Sequence, residues 1–370
     1  MREILFVVGE ASGDLHAAKV AAALKAAEPS RPLVGTGGDR MRAAGVELLE
    51  HSERMAAIGF VEVLRHIPRH WRLLNTLKAR FASGRVGLVI LLDYPGFNMR
   101  VAEAAHTAGV PVLYYITPQV WAWGADRLPK LARWVSKAAV ILPFEEALLR
   151  KHGVNATFVG HPLLDRVHEM PEPAAARAAL GLDPERPVLA VFPGSRRSEI
   201  ERHMGPFMAT AREVQRRDPA VQVVVSAAPG IGIDASVCPY PVIRDASFTV
   251  LRAATAGLLK SGTTTLEAAV AGLPHVIAYR TSALSYAIAR RVVKIPHIGL
   301  VNVVAERGVS REFVQDAIVP SEVADAIAPL LRLASPEREA ALAGLADVRA
   351  RLGAPGASER AAAFARELVR

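Results

Sequence analysis

Asp93 closes an apolar run and opens Asp93-Tyr94-Pro95-Gly96-Phe97-Asn98. A carboxylate at the carboxyl end of a buried parallel strand faces a crevice, where it can take a proton from a hydroxyl if its pKa suits. A turn or N-cap aspartate, with Pro-Gly as turn chemistry, fits the same spacing. A second acidic loop, Gly9-Glu10-Ala11-Ser12-Gly13-Asp14, lies between the first apolar run and a helical stretch. Its glycines, Gly13 among them, let backbone approach a ligand, and the start of a helix favours negative charge. Glu10 and Asp14 can hold sugar hydroxyls there, while Ser12 or Asp14 can equally cap the helix. The spacing is not G-x-G-x-x-G, and two acids would repel a pyrophosphate, so a dinucleotide-dependent dehydrogenase is excluded.

Phosphate chemistry is better served later in the chain. Lys260-Ser261-Gly262-Thr263-Thr264-Thr265-Leu266-Glu267 marks a strand-to-helix turn. Backbone N–H groups at such a helix start, with the hydroxyls of Ser261, Thr263 and Thr265, can hold a pyrophosphate. Glu267, one turn on, can accept from ribose hydroxyls; a Ser/Thr capping box is the structural alternative. The lysine precedes the glycine, so this is not a Walker A loop. Phe192-Pro193-Gly194-Ser195-Arg196-Arg197-Ser198-Glu199 repeats the strand-loop-helix pattern, and the planar fork of Arg196 suits phosphate oxygens. Thr117-Pro118-Gln119-Val120-Trp121-Ala122-Trp123 offers Gln119 and two indoles as a sugar or acyl platform, or as aromatics closing the top of a sheet. His161 either donates to a ligand or shapes a Gly-His-Pro hinge. The spacing of His, Cys, Asp and Glu shows no metal-ligand pattern and no G-x-S-x-G elbow.

Positioning these loops requires repeated βα units. Apolar Val- and Ile-rich runs at 3–8, 33–35, 87–92, 112–116, 138–142 and 156–159 alternate with helical periodicity at 14–27, 99–108 and 145–152. Runs that are apolar throughout imply parallel strands covered on both faces. A proline-rich pause over 162–187 precedes a second series, with strands at 188–192, 221–226, 242–243, 257–259 and 275–278 and helices at 200–217 and 264–271. The expected architecture is α/β, two Rossmann-like doubly wound domains facing a central cleft. Residues 1–165 form the first domain and 166–335 the second, with C-terminal helices over 336–370 that can pack back on the first.

The 370 residues are 51% hydrophobic and carry a net charge of +9, which favours anionic partners. No nucleic-acid-binding motif accompanies that charge, so nucleic acid is not expected as a partner. The single cysteine, Cys238, rules out an internal disulfide. No apolar run reaches the ~18 residues of a membrane span, and the N-terminus does not read as a signal peptide, so a cytoplasmic protein is expected. In 52–81, basic residues interleave with Trp71, Leu73 and Leu74, which suits either a membrane surface or acyl chain, or a core helix with a solvated basic face.

Taken in order, segments 9–14, 35–38 with Met41, 59–64, 93–98, 117–123, Phe144-Glu145, 159–162, 193–200 and 260–267 resemble the lipid-A-disaccharide synthase family. The resemblance implies a GT-B fold and a metal-independent inverting glycosyltransferase without cofactor. It implies transfer of 2,3-diacylglucosamine from its UDP form to 2,3-diacylglucosamine-1-phosphate (lipid X), giving a β-1,6-linked disaccharide phosphate and UDP. It further implies peripheral attachment to the anionic cytoplasmic face of the inner membrane; oligomeric state, a homodimer included, is left open. Asp93 falls on the family's motif aspartate. Arg196, Ser261, Gly262, Thr263, Thr265 and Glu267 fall on nucleotide-contacting positions, with Asn302 and Gln315 as additions. A UDP-sugar 2-epimerase of the same architecture is the alternative.

Overall fold

The computed structural model describes residues 1–55, 60–292 and 295–369. Residues 56–59, in the segments 52–81 and 59–64 singled out above, lie outside the described residues. The chain divides into two compact units, Met1–Asp165 with Gly353–Arg370, and Arg166–Leu352.

The first unit runs β1 (Glu3–Val8), α1 (Ala11–Ala27), β2 (Leu33–Gly37), α2 (Asp39–Ala43), β3 (Glu47–His51), α3 (Phe60–Ala82), β4 (Val86–Leu92), α4 (Pro95–Thr107), β5 (Val112–Tyr115), α5 (Leu128–Trp134), β6 (Lys137–Val140), α6 (Pro143–Lys151) and β7 (Ala156–Phe158). The second runs α7 (Pro173–Ala179), β8 (Val188–Phe192), α8 (Arg197–Arg217), β9 (Gln222–Ala227), β10 (Val242–Arg244), α9 (Ser247–Ala253), β11 (Ala256–Lys260), α10 (Thr264–Ala271), β12 (His275–Tyr279), α11 (Ala283–Val292), α12 (Leu300–Ala305), β13 (Glu312–Val314), α13 (Pro320–Leu331) and α14 (Pro336–Arg351). The last helix, α15 (Ala357–Leu368), belongs to the first unit, where it packs on α1.

The strand orders are β3-β2-β1-β4-β5-β6-β7 and β10-β9-β8-β11-β12-β13, with parallel pairing throughout. Side chains alternate faces along a strand. Leu5 and Val7 therefore join α3 and α4 on one side of the first sheet, while Ile4, Phe6 and Val8 meet α1 and α15 on the other. Burial on both sides is why the central strands read as unbroken apolar runs. Two strands escape that reading: β3, Glu-Leu-Leu-Glu-His, keeps polar residues and partial exposure at a sheet edge, and β13, Glu-Phe-Val, is only three residues long. Within α3 the apolar face is core: Leu73, Leu74, Leu77 and Phe81 are buried, while Trp71 is 51% exposed.

In each sheet the order reverses once, between β1 and β4 and between β8 and β11. At such a point the crossovers run to opposite sides and open a crevice beyond the carboxyl ends of the strands. The register aligns Val8 with Leu92 in the first sheet and Leu259 with Phe192 in the second. The loops that leave those strand ends are 9–10 and 93–94 in one unit, 193–196 and 261–263 in the other.

The α15 helix is tied down by Asp165. Its Oδ1 accepts from Gly356 N at 2.6 Å and Ala357 N at 3.3 Å, and its Oδ2 from Ser358 N at 3.4 Å and Ser358 Oγ at 3.2 Å. A carboxylate on otherwise orphan N–H groups at a helix start is a capping interaction delivered from a distant loop. Asp165→Ala should lower stability by about 1–2 kcal/mol in urea unfolding and raise amide exchange first in α15.

Candidate active site

At the first reversal the chain is strained where it leaves β4 and β5. Asp93, Tyr94 and Ile116 adopt φ of +43°, +47° and +60°. For a β-branched residue such as Ile116 this is a true outlier, and such strain persists only where surroundings over-determine it. Here they do. The Asp93 carbonyl accepts from Asn98 Nδ2 and from the Tyr114 hydroxyl, both at 2.7 Å, and Asp93 N donates to the Ile116 carbonyl at 3.1 Å. Asn98, fully buried, also donates to Leu92 O at 3.0 Å and Val7 O at 3.3 Å. The backbone of residue 93 is thus fixed while its side chain is exposed on the rim.

Tyr94 spans the reversal. A Cβ on Gly9 would come within 2.5 Å of its ring, so only glycine lets β1 and β4 exits approach this closely. The phenol donates to Met55 O at 3.0 Å, which leaves His70 Nε2, 2.7 Å away, as donor to it. Burial first, and the nearby Glu10 carboxylate second, hold the Tyr94 phenol above its ordinary range. Glu10 itself is the extended N-cap of α1, without a capping bond from its side chain, and Ser12 is exposed in the first turn. Next to this rim, Gln119 is exposed, Trp121 donates to Glu145 Oε1 at 3.0 Å, and Trp123 is 43% exposed beneath the Arg127 guanidinium at 4.3 Å.

At the second reversal a buried carboxylate joins the two exits. Glu199 Oε2 accepts from Ser195 N at 2.9 Å and Arg196 N at 3.3 Å, and its Oε1 receives Lys260 Nζ at 3.0 Å. Burial opposes its ionisation, but Lys260 and the Ser195 N–H outweigh that and hold the carboxyl below the usual range. His203 makes a parallel link: Nδ1 lies 2.6 Å from Pro193 O and Nε2 accepts from Arg280 N at 2.9 Å. Burial lowers its pKa, so it is the neutral imidazole that joins the β8 and β12 exits. Gly262 has φ +148°, a backbone state that side chains rarely adopt, and Ser261 Oγ donates to Ile298 O at 2.6 Å. Thr263 is exposed at the N-cap of α10. Glu267 sits one turn into that helix, where burial raises its pKa against the lowering charge of Arg166.

A family model described as lipid-A-disaccharide synthetase matches residues 4–352. The chain belongs to the lipid-A-disaccharide synthetase family. The lipid-A-disaccharide synthase of Geobacter metallireducens is 41% identical over 377 residues, covering 100% of this chain and 97% of the relative. That of Anaeromyxobacter sp. strain K is 42% identical over 372 residues, 97% of this chain and 96% of the relative. Among solved structures, the glycotransferase of kitacinnamycin superposes with a TM-score of 0.67 at 17% identity, covering 100% and 99% of the two chains. The UDP-GlcNAc 2-epimerase of Neisseria meningitidis bound to UDP-GlcNAc gives 0.66 at 12% identity, covering 99% and 100%. At such identities these structures share the fold alone. The family resemblance read from the motifs and the GT-B architecture are both borne out, and the chain is a glycosyltransferase.

For a member of this synthetase family the two reversals gather most of the residues singled out from sequence, with five corrections. Asp14 is 6% exposed, and its carboxylate is taken up by Gly38 N at 2.7 Å, Met41 N at 3.1 Å and Arg40 N at 3.2 Å. It caps α2 and does not face a hydroxyl. Thr265 is fully buried, donating to Gly262 O at 2.8 Å and receiving Val301 N at 3.4 Å, so its hydroxyl shapes the loop. Asn302, 1% exposed, donates to Ser310 O and Glu312 Oε1 and accepts from Val309 N and Ser310 N, leaving nothing for a nucleotide. Gln315 holds the 280–281 turn through both its amide atoms, Oε1 to Thr281 N at 2.6 Å and Nε2 to Thr281 O at 3.1 Å. Gly13 is buried, where a Cβ would strike Val8 Cγ1 at 2.7 Å, a packing constraint between α1 and β1. His161 is buried, its Nδ1 accepts from Leu163 N at 3.1 Å within the Gly-His-Pro turn, and burial pushes its pKa down to about 3. Among the described residues no group of three His, Cys, Asp or Glu is placed to hold a metal, and no helix is long and apolar enough to cross a membrane.

Sequence reasoning passed over Tyr94, Asn98, Tyr114, Arg127 and His203. Asn98 and Tyr94 stood inside a quoted motif, but their partners are carbonyls distant in sequence. Tyr114 read as one more apolar strand residue, and His203 lies in mid-helix with no motif spacing. Asn98→Ala leaves buried carbonyls without their donor, and unfolding in urea should show a loss of about 1–3 kcal/mol. Burial raises the Glu145 carboxyl from 4.5 to about 7, against the lowering bonds from Leu142 N, Trp121 Nε1 and Ile141 N. The folded state therefore binds the proton more tightly than the unfolded chain, so this group's contribution is full below pH 4.5 and falls as pH rises to about 7. Glu145→Gln should flatten that part of the stability-versus-pH curve.

Proposed function

We propose that the chain transfers 2,3-diacylglucosamine from UDP-2,3-diacylglucosamine to the 6-hydroxyl of 2,3-diacylglucosamine-1-phosphate with inversion, releasing UDP. Asp93 is the base: it takes the hydroxyl proton as the acceptor oxygen bonds to the anomeric carbon, and the bond from that carbon to the phosphate oxygen breaks with its electron pair leaving on UDP. The observation that carries this reading is the clamped, left-handed Asp93 turn at the reversal of the first sheet, which keeps an exposed carboxylate in fixed position on a rigid strand end. Glu10, across the same reversal and near the Tyr94 phenol, orients the acceptor.

The second unit serves the donor. Arg196, the backbone at Gly262 and Thr263, and the start of α10 receive the pyrophosphate and stabilise the charge that grows on it as UDP departs. Ser261, its proton committed to Ile298 O, keeps its lone pairs for donor N–H or hydroxyl groups. Glu267, held above the usual carboxylate range by burial, accepts from ribose hydroxyls. Acyl-chain substrates and the exposed Trp71, set among Arg69, Arg72 and Lys78 on α3, support a place at the anionic cytoplasmic face of the inner membrane.

Purified enzyme given both lipids in detergent micelles should yield a disaccharide phosphate detected by mass spectrometry. Asp93→Asn should lower single-turnover rates by about 100-fold or more, since general-base catalysis contributes roughly that much. Retention of activity within about tenfold of wild type would remove Asp93 from the role.

A further inference from the structure

The loop after β5 holds a cation that the reaction as drawn so far does not use. Arg127 stacks on the exposed Trp123 ring at 4.3 Å, and among the described residues its guanidinium forms no ion pair. Its Nη1 is buried without a hydrogen-bond partner, and the same is true of Thr117 Oγ1 at the start of this loop, on a residue only 4% exposed. Buried polar atoms are nearly always paired, so two orphans in one loop need an explanation. The loop is rigidly placed: it begins at the strained Ile116, whose carbonyl accepts from Asp93 N at 3.1 Å. Strands β4 and β5 are neighbours in register up to Leu92 and Tyr115, so the Asp93 and Thr117 exits lie side by side. Tyr114 reports on both charges: burial and then Asp93 raise its pKa, while Arg127 lowers it.

We propose that Arg127, braced on Trp123, is the binding residue for the phosphate monoester of the acceptor, with the indole supporting the sugar face. The inference rests on the transfer reaction above and adds the acceptor's anionic anchor to it. The 1-phosphate on C1 and the hydroxymethyl on C5 flank the ring oxygen of one pyranose. A base on the β4 exit and a cation on the adjacent β5 exit therefore meet two neighbouring groups of a single sugar. Arginine suits the task because its planar fork pairs two phosphate oxygens at once, and an aromatic ring beneath it fixes the fork's plane. A guanidinium already oriented by stacking loses less freedom on binding than one ordered only by its ligand.

The test measures initial rates of the full-length enzyme in mixed micelles with two acceptors, the 1-phosphate and the same diacylglucosamine without phosphate. Arg127→Ala should raise KM for the phosphorylated acceptor about tenfold or more, leave KM for the UDP donor within about twofold, and raise KM for the dephosphorylated acceptor far less, so that the preference for the phosphate narrows. Arg127→Lys should recover only part of the loss, because charge remains but the fork does not. Equal loss on both acceptors, or a rise confined to the donor KM, overturns the assignment. So does lost binding to phosphatidylglycerol vesicles with both KM values intact, which would make the cation a membrane contact. Circular dichroism melts of each variant exclude a folding defect as the cause. If the wild-type enzyme makes no disaccharide, the transfer reading fails by itself. Equilibrium binding of the two acceptors to wild type and Arg127→Ala then decides the phosphate site separately: preferential binding of the phosphorylated lipid that vanishes in the variant sustains it, and equal binding overturns it.

Discussion

The reversal of strand order in each parallel sheet is the constraint on which this chemistry depends. Crossover connections on opposite sides leave a crevice beyond two adjacent strand ends, and any loop leaving those strands must border it. The β1 and β4 exits bring Glu10 and Asp93 to one rim, while the β8 and β11 exits bring Arg196 and the 260–263 turn to another. No single helix or strand could assemble these groups, which lie tens of residues apart in the chain. Contacts across each reversal then fix the spacing: the Tyr94 ring against Gly9 in one unit, the Glu199–Lys260 pair in the other.

A second theme is the use of carboxylates as remote caps. Asp14 holds the start of α2, Asp165 the start of α15, Glu199 the 195–196 turn before α8, and Glu312 the N–H groups of Ile298 and Gly299 before α12. Each meets donors that a helix start or turn leaves without intrachain carbonyls. Glu199 lies in the first turn of α8 itself, but the other three caps come from elsewhere in the fold, so each sets the direction of a helix against its sheet as well as the helix's first turn. Acids that look chemical in a motif are therefore divided by structure into those spent on backbone and those presented at a rim. Asp14 is of the first kind and Asp93 of the second.

Strain separates the two rims. In the first unit three non-glycine residues with positive φ cluster at neighbouring strand exits, and Asn98 and Tyr114 hold them there. Such a backbone aims a side chain that an unstrained turn would direct elsewhere. The rim of the second unit relies on glycines, Gly194 at φ +145° and Gly262 at φ +148°, which adopt these conformations without a Cβ penalty. Rigidity suits a base that must meet one oxygen, whereas open backbone suits a phosphate cradle.

The amino-acid sequence alone determined the βαβ rhythm, the parallel sheets and the motif loops, because double-sided burial demands unbroken apolar strands and strand-to-helix turns demand Gly, Ser and Thr. It determined the family as well, since ordered short motifs identify it even when each is weak. Tertiary structure decided which motif residues face outward. Asp14, Thr265, Asn302 and Gln315 have the right chemistry, yet their polar atoms are taken by N–H and C=O groups that only folding brings near. It also decided the edge strands β3, which is largely polar, and β13, which is only three residues long, and the contacts of Asn98 and Tyr114, whose partners come from separate strands. Periodicity records how a residue sits in its own element; what its side chain touches depends on the neighbours that long-range packing supplies.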